Sequence, residues 1–238
     1  MEGLTVCSVV YNDAQVGLLD LMVRSVLKHT SPAPKFLLCD NGGNNLEPYR
    51  SLPNFTIVTG ANPSYRGSLA HGSSLNQLLP LVTTPYTAIV ETDCVVVDDS
   101  WSTLTPPHTL LASSKAPGLY HACLLVGETV SLNGIDFRPG NHTRTNRSYT
   151  PQEDVGWRIS SCVRPQCIDL LHTVDCKSGR GQLFGAQYQS EELMRGDQVV
   201  ALHLGRGSNM AGKKVIVGFD HPTVQLERWK ERVKQLIE

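Results

Sequence analysis

The chain has 238 residues, 40% of them hydrophobic and 18% charged, with a net charge of −1. That balance describes a folded chain the size of one large domain or two small ones and excludes a disordered one. It also speaks against a polybasic surface for nucleic acid or anionic membrane, and no apolar run is long enough to cross a bilayer.

Residues 4–11 (LTVCSVVY) read as a buried strand, rich in β-branched side chains. Asn12-Asp13 follows as a turn and helix cap. Residues 15–29 place Leu18, Leu19, Met22 and Val26 at helical spacing, until Pro32 and Pro34 stop the helix. KFLLCD (35–40) is a second strand and ends in the turn signal Asp40-Asn41-Gly42-Gly43. NFTIVTG (54–60) is a third strand. Asn62-Pro63 opens a loop, residues 67–82 read as a helix ended or kinked near Pro80, and residues 86–97 read as a fourth strand. Strands and helices alternating with short connections predict a mainly parallel α/β sheet, in which ligands bind beyond the carboxyl ends of the strands. Tyr11-Asn12-Asp13, Asp40 and Glu91–Asp93 then share one rim.

The second half carries weaker signals. Residues 119–126 read as a strand, and residues 135–151 as an exposed polar loop with two prolines. Residues 152–163 read as a helix with Glu153 and Asp154 in its first turn. Residues 177–190, with Gly179, Gly181 and Gly185, read as a flexible loop, and 199–205 as a strand. Residues 221–238 form an amphipathic helix with Val224, Trp229, Val233 and Leu236 or Ile237 on its apolar side. There is no internal repeat and no low-complexity linker. The seven cysteines are odd in number and form no C-x-x-C pair. Cys7, Cys39, Cys94 and Cys123 lie in apolar runs, which favours a reducing compartment. The first strand follows Met1-Glu2-Gly3 directly, so a cytoplasmic location is expected and the N-x-S/T matches at Asn54, Asn141 and Asn146 are taken as chance.

One stretch breaks its own pattern. Seven of the ten residues of AIVETDCVVV (88–97) are apolar, yet it carries two carboxylates, Glu91 and Asp93, two residues apart and therefore on one face of a strand. Buried like charges repel, and each is costly without a partner. A divalent cation with oxygen ligands, Mg²⁺ or Mn²⁺, removes both costs and carries phosphorylated substrates. The plain alternative leaves Glu91 in solvent and makes Asp93 a turn cap.

In order along the chain, VCSVVYND (6–13), LLCDNGG (37–43), NPSYRGSLAHGSSLNQ (62–77), ETD (91–93) and QEDVGWRIS (152–160) resemble the nucleotide-sugar glycosyltransferases of the GT-A fold, especially the family 2 group. The resemblance implies a single Rossmann-like α/β domain over 1–238, with a mainly parallel central sheet flanked by helices. Residues 1–100 would be its nucleotide-binding half, and 101–238 the acceptor side with the C-terminal helix. It implies that Tyr11, Asn12, Asp40 and Arg66 contact the donor nucleotide, and that Glu91, Thr92 and Asp93 stand where the family keeps its D-x-D metal motif. Here that motif begins with Glu, one methylene longer than Asp, so Asp93 is the firmer ligand. A late histidine after a strand, His203, would complete the metal site and favour Mn²⁺ over Mg²⁺. Arg206, Ser208 and Asn209 would cover the diphosphate. Asp154 would be the catalytic base, with Glu153 beside it, and Trp157 a platform for a sugar ring.

Each position has an ordinary alternative: a turn-forming Asp40, a core Tyr11 or Trp157, a solvated Arg66, a satisfied strand histidine, and acids that only favour a helix start. The implied activity is metal-dependent, inverting transfer of a sugar from a nucleotide-diphosphate donor to a hydroxyl of a glycan or other acceptor. A UDP-sugar is favoured, with dTDP- and GDP-sugars next. Residues 135–151 and 177–190 are expected to order only with donor. Three rivals remain. A sugar nucleotidyltransferase would place a basic Gly-rich loop where YNDAQVG stands. A glycosidase needs two carboxylates but not the nucleotide-binding half. A non-catalytic nucleotide- or carbohydrate-binding module would bind without transfer.

Overall fold

The computed structural model describes residues 2–11, 13–43, 46–60, 64–65, 67–116, 119–140, 154–204 and 222–238. Strand β1 (Leu4–Val10) is buried along its whole length. Leu4, Val6 and Val10 enter one apolar layer, and Cys7 and Val9 the other, as a strand covered on both faces requires. Helix α1 (Asp13–Lys28) lies on the first face through Leu19, Met22, Val23 and Val26. Strand β2 (Lys35–Asp40) pairs parallel with β1. A single turn, α2 (Glu47–Arg50), leads to β3 (Phe55–Thr59), parallel to β2. Phe36 and Phe55 stack there at 4.5 Å. Helix α3 (Gly67–Leu78) covers the opposite face with Leu75 and Leu78, and β4 (Tyr86–Val90) returns beside β1, again parallel.

The second half extends the same sheet. It contributes β5 (Cys94–Val96), β6 (Leu110–Ala116), β7 (Leu119–Glu128), the short helices α4 (Thr129–Asn133) and α5 (Ile159–Cys162), β8 (Ile168–Asp175), β9 (Glu191–Arg195), β10 (Gln198–His203) and helix α6 (Pro222–Ile237). Among the described residues ten strands lie in the order β3-β2-β1-β4-β7-β6-β8-β9-β10-β5. The expected parallel pairing holds for β1 to β4 and for β6 with β8. Every other pair is antiparallel, so the sheet as a whole is mixed. Strands β6, β8 and β9 were not legible as strands because polar residues such as Ser113, Ser114, Thr173 and Glu192 interrupt their apolar runs.

Four expectations need correction. The run 86–97 is two strands: β4 ends at Val90, residues 92–93 turn, and β5 leaves to pair with β10 at the far edge of the sheet. Of the helix read over 152–163, only the four residues of α5 are helical, and Asp154 begins the turn before it. Residues 177–190 are tied down rather than loose. Glu192, fully buried, accepts the backbone N–H groups of Gln182, Leu183 and Phe184 at 2.7, 2.7 and 2.9 Å. Finally, Val224 of α6 is 43% exposed. The apolar side of that helix is Leu226, Trp229, Val233 and Ile237, packed on Leu18, Leu21, Phe184 and Leu202. Each such side chain contributes about 1.5–3 kcal/mol by leaving water.

A register shift falls between Val199 and Ala201. Before it Val199 faces Met194; after it Ala201 faces Leu193 and His203 faces Glu191. One extra residue in β10 thus places His203 opposite Glu191, where regular pairing would set it opposite Ser190. All seven cysteines are free, and burial pushes the Cys7 thiol up to about 12. The Asn54 amide is engaged with the Pro34 carbonyl at 3.2 Å. Among the described residues no helix is long and apolar enough to cross a membrane.

Candidate functional site

The four parallel strands point the same way, and the register puts Val10, Asp40 and Thr59 level at their carboxyl ends. Tyr11 follows β1 there, half-buried. Asp40, only 7% exposed, accepts the Gly42 N–H at 3.1 Å, the turn its sequence announced. Asn41 beside it accepts from Ser74 Oγ at 2.8 Å and so ties this rim to α3.

Glu91, Thr92 and Asp93 continue the rim where β4 gives way to β5. The turn is closed by Cys94 N–H on the Glu91 carbonyl at 3.0 Å. Glu91 N–H donates to Cys123 of β7, and Leu204 N–H, just past β10, donates to the Asp93 carbonyl, both at 2.9 Å. Both carboxylates thus reach one place through a turn that joins distant strands, not along one strand face. Thr92 between them is buried. His203 Nε2 stands 3.4 Å from Glu91 Oε2 and 3.6 Å from Asp93 Oδ1. One ligand atom from each of these three residues lies within 4.8 Å of the others, the one such group of His, Cys, Asp or Glu among the described residues. The longer arm of Glu91 does not take it out of the cluster.

Two residues that sequence did not single out complete the picture. His203 Nδ1 contacts Glu191 Oε2 at 2.9 Å, and His71 of α3 contacts Glu91 Oε1 through Nδ1 at 3.3 Å. His71 lay inside the segment that carried the resemblance, but nothing in its spacing marked it. Glu191 depends on the bulge in β10. Burial disfavours a charged His203, yet the Asp93 and Glu191 carboxylates more than offset that and hold it well above the usual histidine range. Burial also pushes the Cys123 thiol up, so it stays neutral near pH 7 and the carboxylates carry the effect. An enclosed pair of acids thus recruits a positive charge onto the imidazole. A dication bound to Nε2 and the two carboxylates meets the same demand, and mixed nitrogen and oxygen donors suit Mn²⁺ better than Mg²⁺.

Asp154 is exposed, and one of its oxygens accepts the Val155 N–H at 2.8 Å. Val155 and Ile159 pack with Ala122 of β7, the strand whose Cys123 carbonyl holds Glu91. Asp154 therefore stands over the rim end of β7, on the α3 side of the sheet. Trp157 Nε1 donates to the Arg138 carbonyl at 3.1 Å, and Arg158 lies over the Trp157 ring at 4.9 Å. Asp136 binds Arg138 at 2.8 Å, Arg158 at 3.6 Å and Asn76 of α3 at 2.6 Å. These contacts bring residues 136–138 and 157–158 together against α3. Asn12, Arg66, Glu153, Arg206, Ser208 and Asn209 lie outside the described residues.

The Arg138 hydrogen bonds hold the Asp136 carboxyl well below the usual carboxylate range against its burial, with Asn76 helping. Its contribution to stability is present above the unfolded-state value near pH 4 and is lost as pH falls through the lower folded one. Asp136→Asn is therefore expected to lower the melting temperature at pH 6–8, with the gap to wild type closing below roughly pH 3. A gap that stays constant from pH 7 to pH 2.5 would show that the carboxylate charge is not the cause.

No protein-family model and no curated protein matches the sequence. Solved structures do. The mannosyltransferase PcManGT of Pyrobaculum calidifontis, in complex with GDP-Man and Mn²⁺, is 16% identical with a TM-score of 0.43, over 55% of this chain and 46% of that one. The galactosyltransferase LgtC, in complex with donor and acceptor sugar analogs, is 15% identical with a TM-score of 0.43, over 56% and 60%. TarS of S. aureus in complex with UDP-GlcNAc is 11% identical with a TM-score of 0.42, over 58% and 48%. The chain spans about half the length of these proteins.

Proposed function

We propose that this chain is a GT-A-type glycosyltransferase that moves a sugar, with inversion, from a nucleotide-diphosphate donor to a hydroxyl acceptor. The observation that carries this is the Glu91–Asp93–His203 cluster on the same rim as Tyr11 and Asp40. A rim of parallel strands is where an α/β sheet takes a nucleotide. Asp40 would accept from a base N–H or ribose hydroxyl, and Tyr11 would pack beside it. Glu91, Asp93 and His203 would hold the dication, Mn²⁺ favoured. That ion, when bound, supplies positive charge to the leaving diphosphate.

On the acceptor side, Asp154 takes the hydroxyl proton as the oxygen attacks the anomeric carbon. Attack opposite the leaving diphosphate inverts that carbon. The buried walls around Asp93 and His203 exclude water from the donor, which matters because water is a competing acceptor. The absence of any Lys or Arg in residues 11–17, just after β1, argues against the nucleotidyltransferase alternative.

The test is calorimetric titration of UDP, dTDP and GDP, each with Mn²⁺ and with EDTA, followed by turnover of wild type and Asp154→Asn with the matching sugar nucleotides and a panel of hydroxyl acceptors. UDP is expected to bind only with metal. Loss of the base is expected to lower turnover about 10²–10⁴-fold while nucleotide affinity stays put. Metal-dependent binding without transfer in wild type would favour the non-catalytic module. No binding of any nucleotide by folded protein would end the transferase proposal.

A further inference from the structure

The cation site has supporting contacts on both sides, and they come from residues outside the ligand set. His203 has two ring nitrogens with different surroundings. Nδ1 faces Glu191 Oε2 at 2.9 Å, and Nε2 faces Glu91 and Asp93 at 3.4 and 3.6 Å. A carboxylate acceptor at Nδ1 requires a proton on that nitrogen. In a neutral ring, the Nε2 lone pair is then aimed at the space between Glu91 and Asp93. With no acceptor at Nδ1, the proton can sit on Nε2 instead. It would then donate to those carboxylates, and the cation would lose its nitrogen ligand.

Glu91 is treated in a complementary way. Its two oxygens are divided: Oε1 meets His71 Nδ1 at 3.3 Å and Oε2 meets His203 Nε2 at 3.4 Å. A glutamate has one more rotatable bond than the aspartate expected at the head of this motif, and so more ways to miss a metal. His71 removes that freedom by holding the far oxygen. Both supports sit on rigid elements, Glu191 on β9 directly opposite His203 and His71 on α3. Their side chains are 19% and 21% exposed, which keeps competing water few.

We propose that Glu191 and His71 are the positioning residues of the cation site. Glu191 selects the nitrogen that His203 presents, and His71 makes Glu91 a ligand through one oxygen. This rests on the reading that Glu91, Asp93 and His203 hold a dication, and it predicts selectivity. Removing Glu191 weakens ions that use the imidazole nitrogen far more than ions that want oxygen alone.

The experiment measures Mn²⁺ and Mg²⁺ affinity of the whole chain, the former by loss of the free Mn²⁺ electron paramagnetic resonance signal. Zn²⁺-loaded protein, which is diamagnetic, then gives the ¹⁵N shifts that report which His203 nitrogen is bound. E191A is expected to weaken Mn²⁺ about 10–100-fold, the usual effect of losing an outer partner of a metal-bound histidine. Mg²⁺ affinity should fall much less, and the Zn²⁺ spectra should lose uniform Nε2 ligation. E191Q, whose amide oxygen still accepts from Nδ1–H, is expected to keep most of the Mn²⁺ affinity. H71A is expected to cost about tenfold for both ions, and it carries the test should E191A not fold. Wild-type Mn²⁺ affinity and uniform Nε2 ligation in E191A, or equal losses for Mn²⁺ and Mg²⁺, would overturn the role of Glu191. Unchanged affinities in H71A would overturn that of His71. In either case, loss of binding in D93A would leave the cation site standing. Failure of wild type to bind Mn²⁺ would instead remove the site on which the proposal depends.

Discussion

Asp93→Ala is expected to abolish the rise in melting temperature that Mn²⁺ and nucleotide produce, while changing stability little in EDTA. The two halves of that result have separate causes. Without metal, Asp93 is a nearly buried carboxylate, 5% exposed, close to a second one, so its removal relieves repulsion as well as taking a partner from His203. With metal, the loss of one of three ligands is expected to weaken binding by at least about 100-fold, or ~2.8 kcal/mol. A ligand at about 100 times its Kd stabilises the folded state by ~2.7 kcal/mol, which a variant with 100-fold weaker binding largely forfeits. Thermal melts across a Mn²⁺ series, with and without UDP, read both halves at once. A variant that keeps the metal-dependent rise would take Asp93 out of the site.

The second large effect concerns stability alone. Glu192 is fully buried and accepts three backbone N–H groups of the 182–184 segment. Glu192→Gln keeps the shape but turns an NH₂ toward donors that need an acceptor. One or two N–H groups are left unpaired in a dry place, each costing about 1–3 kcal/mol. The expected loss is ~2–4 kcal/mol, or roughly 5–15 °C in melting temperature for a chain of this size. Protease cleavage within 177–190 should rise in step, because Phe184 is seated beside Trp229 and Tyr188 by those bonds. A melting temperature within 2 °C of wild type would show that the segment is held by its apolar contacts instead.

Sequence and structure agree best where a physical signal is local. Strands β1 to β4 and helices α1 and α3 show themselves through apolar runs, helical spacing and prolines. Glu91 and Asp93 stand out because charge is rare inside an apolar run, although their shared position comes from a turn and not from strand alternation. His203 was legible only through resemblance, since a histidine at a strand end has no local signature. Glu191 could not be found this way. Its place opposite His203 needs the pairing of β9 with β10 and a one-residue shift within it, both of them non-local. The antiparallel strands of the second half were obscured for a related reason. Buried polar residues such as Glu192 and Ser113 are satisfied by partners eight to ten residues away, beyond the reach of a local pattern, and to a local reading they look like loop.

The extra residue in β10 makes the site sensitive to a change that chemistry-based comparison of side chains would miss. If the same residues paired regularly, with Val200 opposite Leu193, the strands would stay in place, yet His203 would then stand beside Ser190, whose hydroxyl now accepts from Trp229; deleting one residue at the bulge would instead keep His203 opposite Glu191. Every side chain of the candidate site would still be present, in the same order, in a chain with the same fold. Substitutions that favour or straighten the bulge would therefore move His203 into or out of the cluster without touching any of its three residues.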